Sequence, residues 1–266
     1  MKLHLLRRLC GVGLIVALAV PVMAQGLYWE SLTTRSGDKD KGKVSQFYYM
    51  PGKYKATMDG NQHGAIIRLD KEVVMMMDNK EKSYWQMTFA EMESMMKGVG
   101  SKMDAAMAEM DEKLKDMPEE QRKMVEKMMG GRMGSKDARI DVEKTGESKT
   151  ISGYKCTKFV LKKGDDEMAT VWVTRDVSDF AVMKKDMEEF GKRMASMMPK
   201  GMEGAVEKSL STLDGFPIQT ERKGGTVMTV TKIEKKSTPA SEFEAPSGYK
   251  KEKPPMMEHM GKMKEE

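Results

Sequence analysis

Cysteine is almost missing from this chain: the 266 residues contain two. Cys10 lies in an N-terminal apolar run, and Cys156 is left alone in the rest, so no internal disulfide can hold the fold and an apolar core must do so. Histidine is scarce as well. His63 sits in the turn-like "DGNQHG" and His259 near the C-terminus, and neither has a sequence neighbour that would make it a general base. Glycine-rich phosphate loops, an "HExxH" pair and paired-cysteine zinc spacings are absent from the sequence. Cys156 falls in a predicted strand with nothing nearby to lower its pKa, so it reads as a buried thiol and not as a nucleophile. No catalytic residue and no cofactor is assigned, and the expectation is a protein that is not an enzyme.

Long apolar runs are lacking beyond the first 24 residues, "MKLHLLRRLCGVGLIVALAVPVMA". Those begin with Lys2, Arg7 and Arg8, continue through an apolar run, and close on small residues, the pattern of a secretory signal peptide cleaved between Ala24 and Gln25. The run is shorter than the about 20 residues a bilayer span needs, so no membrane span is expected in the mature chain. Cys10 opens the apolar run instead of following it, unlike the acylated cysteine of a lipoprotein. The expected location is the periplasm.

An excess of one charge sign is lacking too. The chain carries 46 Lys+Arg against 41 Asp+Glu, and loss of the leader removes three of the bases and none of the acids. No concentrated positive field remains for nucleic acid, and the interleaved charges read as a solvated face.

Methionine, by contrast, is abundant, with 31 residues. From Leu27 to Met87 short β-prone runs alternate with turns: "LYWESLTTR", "VSQFYYM" ending at Pro51-Gly52, "KYKATM" ending at "DGNQHG", then "AIIRLD", "VVMMMD" and "SYWQM". Strands of that length with tight turns predict an antiparallel meander. From Thr88 the apolar period lengthens to three and four through Met92, Met95, Met96, Val99, Met103, Met107, Met110, Leu114 and Met117, an amphipathic helix with breaks expected at Gly98-Gly100 and Pro118. "ARIDVEKT", "GYKCTKFVLKK" and "EMATVWVTR" predict further strands. A second helical block runs over 178–214, with Phe180, Met183, Met187, Phe190, Met194 and Met197 on one stripe. "FPIQTER" and "TVMTVTKIEKK", joined by Gly224-Gly225, predict a closing hairpin.

The expected fold class is therefore α+β. Residues 25–249 form one large curved antiparallel sheet, helical inserts at about 88–130 and 178–214 cover one face, and 250–266 are a charged, disordered tail.

Four blocks, "GAIIRLDKEVVMMMDNKEKSYWQMTFAEM", "ISGYKCTKFVLKKGDDEMATVWVTRDV", "GFPIQTERKGG" and "FEAPSGYKK", resemble a methionine-rich family of exported bacterial proteins of unknown function (DUF4412-like). Their layout is remotely similar to the LolA and LppX half-barrel group of periplasmic carriers. That resemblance implies a curved sheet whose helical lid encloses an apolar cavity, and it supplies no catalytic residues.

Methionine offers three chemistries. Its unbranched, polarizable side chain adapts to irregular apolar surfaces. The two helical blocks use it where leucine and isoleucine are usual, so a loosely specified, openable interface is expected. On this reading Met75, Met77, Trp85, Met92, Met96, Met183 and Met187 line a site for a lipid, an acyl chain or an apolar segment of an envelope protein. Thioethers are also soft ligands for Cu(I) or Ag(I). In a strand only Met75 and Met77 of "MMM" share a side, about 7 Å apart, so the better metal candidate is the tail, with Met256, Met257, His259, Met260 and Met263. Lastly, exposed methionines can absorb oxidants as sulfoxides.

Overall fold

Strand alternation and tight turns set the first half of the chain, in which β1 (Gln25–Arg35), β2 (Lys43–Met50), β3 (Lys53–Met58), β4 (His63–Arg68), β5 (Val73–Asp78) and β6 (Ser83–Thr88) form a meander. In this computed structural model the described residues are 25–37, 41–115, 118, 121, 140–197 and 212–255. The leader, most of the segment after the first helix, residues 198–211 and the tail from Met256 lie outside them. Pro51-Gly52 makes the β2–β3 turn, with Gly52 at φ +71°, a conformation that costs glycine nothing.

Helix α1 (Phe89–Lys115) follows β6 directly. Its start is fixed by a reciprocal capping box: the Glu91 N–H donates to Thr88 Oγ1 at 3.1 Å, while Glu91 Oε2 accepts from the Thr88 N–H at 2.7 Å. Glu91 is held below the usual carboxylate range chiefly by that backbone donor. The break expected at Gly98-Gly100 does not occur. Each glycine costs a helix only about 1 kcal/mol, and α1 runs through both.

Next come β7 (Ile140–Ile151), β8 (Tyr154–Lys163), β9 (Asp166–Thr174), α2 (Phe180–Met197), β10 (Phe216–Arg222), β11 (Thr226–Ser237) and β12 (Lys250–Lys251). The twelve strands of the described residues join one sheet in the order β12-β6-β5-β4-β3-β2-β1-β11-β10-β9-β8-β7. Every pairing is antiparallel except β12 with β6. Among the described residues the edges β12 and β7 do not pair, so the sheet is open.

It also curls. Ser152, in the β7–β8 turn, donates to the Val230 carbonyl of β11 at 2.6 Å, although β8 and β11 are three places apart and a flat sheet would separate them by about 14 Å. Lys149 of β7 likewise stands 4.1 Å over the Trp172 ring on β9 and donates to Gln219 Oε1 on β10 at 3.0 Å. The β7–β8 tip is therefore folded over the inner face, where Ile151 and Tyr154 join the main core.

Two faces result. On the helix face, registered rows run Leu27, Tyr49, Tyr54, Ile67, Val74, Met87 and, one row along, Trp29, Phe47, Ala56, Ala65, Met76, Trp85. On the opposite face, Ile66, Met75 and Met77 are sealed by Phe243, which sits in a short 3-10 turn (Ala240–Phe243) of the segment after β11. A further cluster, Phe159, Val171 and Val173 with Leu213, closes the β8–β9 end.

The C-terminal segment departs from expectation. Disorder was expected from Lys250, but the Lys250 N–H donates to the Lys82 carbonyl at 2.9 Å and the Glu252 N–H to the Tyr84 carbonyl at 2.8 Å. β6 presents an unpaired edge, and extended backbone of any composition can satisfy it.

Candidate functional site

The sequence-predicted lining residues do not converge on one place. Met183 is buried and Met187 half-buried in the main core, with Trp29, Phe216, Trp172 and Cys156. Met92 and Met96 pack in a second cluster on the same face, around Val74, Phe89 and Met197. Trp85 is half-buried on the helix face opposite Met76. Met75 and Met77 are on the other face, beneath Phe243, in a cluster that contains no residue of α1 or α2. The reason is the two-residue period of β5: Met75 and Met77 share a side, but it is Val74 and Met76 that face the helices. Met256, Met257, His259, Met260 and Met263 lie outside the described residues.

What the structure brings together instead is a methionine interface. Met76 from β5, Met92 and Met96 from α1, and Met194 and Met197 from α2 all belong to the Val74–Phe89 cluster, with Ile67, Leu69 and Phe190. Phe89 and Phe190 contact at 6.0 Å between centroids. The sequence showed Met92, Met96, Met194 and Met197 as stripe positions. Met76 was missed because alternation fixes which residues share a side without saying which side is covered.

The fastening of α2 was also missed. Asp186 Oδ2 accepts from the Tyr49 hydroxyl at 2.8 Å and from the Gly52 N–H at 2.6 Å, so one carboxylate ties the helix to the β2–β3 turn. Burial and this carboxylate push the Tyr49 phenol well above its ordinary range. The signal was present: Asp186 is an acid beside Met187 on an otherwise apolar stripe. Beside it lies a cavity of about 10 Å³, lined by Tyr54, Ile67, Met187 and Phe190 among others. That volume takes about one water molecule, so the helices are closed on the sheet and no preformed acyl cavity stands at this site. Further along, Arg193 pairs with Glu72 at 2.6 Å and stacks over Phe89 at 5.4 Å.

Cys156 is fully buried, and burial pushes its thiol pKa up, the opposite of an activated nucleophile. His63 is exposed at the start of β4. Among the described residues no group of three or more His, Cys, Asp or Glu is placed to hold a metal, and no helix is long and apolar enough to cross a membrane.

Among the described residues, an open, curled sheet with α1 and α2 packed on one face through methionines defines an α+β protein. The chain belongs to the family described as "Domain of unknown function (DUF4412)", whose model matches residues 86–249, from β6 through Tyr249. No curated protein matches. Among solved structures, PNGF-II in a C2 crystal form is similar at 12% identity and a TM-score of 0.40, over 90% of this chain and 32% of that one. The MucA/MucB complex of Pseudomonas aeruginosa is similar at 8% identity and a TM-score of 0.37, over 86% of this chain and 58% of that one. The chain thus spans about a third and somewhat over half of their respective lengths.

Proposed function

We propose that the protein is a non-enzymatic periplasmic binding protein for an apolar ligand, either a lipid acyl chain or an apolar segment of an envelope protein, admitted between the helices and the sheet. The observation that carries this reading is the methionine interface. Five thioether side chains from three elements form the contact, and such side chains repack around a guest at little cost in rotamer strain. With the resident cavity only water-sized, entry requires the helices to lift. Among the described residues α2 is tied to the sheet side by Asp186 to Tyr49 and Gly52, by Arg193 to Glu72, and by Lys235 to Asp179 just before the helix, while α1 is tied to β6 by the Thr88–Glu91 box.

Two measurements test it. Protein purified from the periplasm is expected to carry extractable lipid or to bind an acyl-chain fluorophore with saturation. Asp186→Ala removes the acceptor of two hydrogen bonds at a cost of about 1–3 kcal/mol. A penalty confined to the closed state would raise the open population about 5- to 150-fold, and apparent fluorophore affinity with it. A chain that is reproducibly empty, and whose wild-type and Asp186→Ala forms both leave the fluorophore unbound, removes the proposal.

A further inference from the structure

We infer that the junction of β5, α1 and α2 is a binding site for one monovalent soft metal ion, Cu(I) or Ag(I), held by methionine thioethers. This site is distinct from the histidine-containing tail, and its existence does not depend on uptake of an apolar chain. Three observations carry it.

The first is convergence. Met92 and Met96 are one helical turn apart on α1, Met194 and Met197 stand three apart on α2, and Met76 rises from β5 beneath them, all in one cluster around Phe89 and Val74. Residues three and four apart share a helix face with about 5–6 Å between Cβ atoms. A methionine sulfur is placed by the first two torsions of an unbranched side chain, so rotamer changes can bring sulfurs of adjacent turns towards a common point with the backbone in place.

The second is donor type. Among the described residues no group of three or more His, Cys, Asp or Glu is placed to hold a metal, and of the apolar side chains that form this cluster only the methionines carry a donor atom. A neutral all-thioether set discriminates against hard divalent ions and zinc and favours soft monovalent ones.

The third is charge. Arg193, at the rim over the Phe89 ring, is paired with both Glu72 at 2.6 Å and Glu189 at 3.2 Å. The rim beside the cluster thus carries two carboxylates and one guanidinium, all in contact with water, so a monovalent cation entering there does not meet an unpaired positive charge.

Silver(I) nitrate in chloride-free buffer is the probe, because it needs no reductant. Titration of the purified protein, carrying methyl-labelled methionine, is expected to saturate at one ion per chain. The methyl resonances of Met92, Met96, Met194 and Met197 should shift together with that saturation. Met92→Leu with Met96→Leu, a volume-conserving pair, should weaken binding by more than the about 10-fold that loss of an outer-shell partner costs. Replacing Met256, Met257, His259, Met260 and Met263 together should leave this binding event in place. The proposal fails if no saturable binding is seen, if the shifts are confined to the tail methionines, or if binding survives both the α1 pair and the Met194→Leu, Met197→Leu pair. The shifts in the wild-type protein decide the matter even where a variant does not fold. Fluorophore uptake is read separately, so failure here and failure of the apolar-ligand reading are told apart.

Discussion

Phe243→Ala is expected to lower unfolding free energy by about 3–5 kcal/mol, the usual range for emptying a fully buried phenylalanine site. Phe243 has no exposed surface, and it seals Ile66, Met75 and Met77 on the face of the sheet opposite the helices. Its loss leaves a cavity that the sheet cannot collapse into, because registered pairing fixes those three residues on β4 and β5. The neighbouring ion pair is a built-in control. Lys55 and Glu242 meet at 2.6 Å, but the Glu242 side chain is 41% exposed, so Glu242→Gln should change stability by no more than about 1 kcal/mol. Urea titration separates the two: the midpoint falls strongly for Phe243→Ala with little change of slope, and hardly at all for Glu242→Gln. If Phe243→Ala costs under about 1 kcal/mol, the segment after β11 is not a structural part of the domain.

Helix-face function has a different energetic character from this strap. Phe243 is a large, rigid plug, whereas the helices meet β5 through methionines, whose many rotamers specify geometry weakly. The same sheet thus has a face closed by one strong insertion and a face closed by several adaptable contacts. The proposed binding chemistry belongs to the second.

Much of this arrangement was legible in the sequence, and the parts that were not share a cause. The six-strand meander, the helix after Thr88, the second helix and the final hairpin follow from local period and turn chemistry, both contained in a few neighbouring residues. "VVMMMD" shows the limit. Alternation pairs Met75 with Met77 and Val74 with Met76, but which pair meets the helices depends on sheet curl and on the route of the segment after β11, which are set far away in the chain. For that reason the sequence reading took Met75 and Met77, which meet Phe243, where Val74 and Met76 meet the helices. Long-range polar ties such as Asp186 to Tyr49 and Arg68 to Glu244 are similarly beyond local reading. An acid on an apolar helical stripe or a base in an apolar strand marks their existence without naming the partner. The Thr88–Glu91 capping box is local in the chain, yet the helix start was placed from the change of apolar period at Thr88 and not from that pair.

Acid is expected to loosen the strap, and charge removal at its anchor should show an unequal pattern. Arg68 is 4% exposed in β4. It donates to both oxygens of Asp70, at 2.7 and 2.8 Å, to the Phe243 carbonyl at 3.2 Å, and to Glu244. Asp70 and Glu244 are both held below the ordinary carboxylate range, Asp70 chiefly by its hydrogen bonds from Arg68 and Glu244 chiefly by the one from Lys71. Because these folded-state values are depressed, their stabilisation is present in full above the unfolded carboxylate range of about 4 and is lost as pH falls through the lower folded values. Stability measured by urea titration should therefore decline below about pH 4, and less steeply once Asp70→Asn and Glu244→Gln have removed the titrating groups. The two sides of the anchor are not equivalent. The carboxylates are 39% and 46% exposed while the guanidinium is 5% exposed, so Arg68→Met leaves behind anions that water can solvate and should cost about 1–3 kcal/mol. The double neutralisation leaves a buried cation with only neutral partners, a situation that costs about 3–5 kcal/mol. The expected order is that losing both partners harms the fold more than losing the charge they share. The reverse order would mean that Arg68 can reach water when released, and that the strap is held by Phe243 alone.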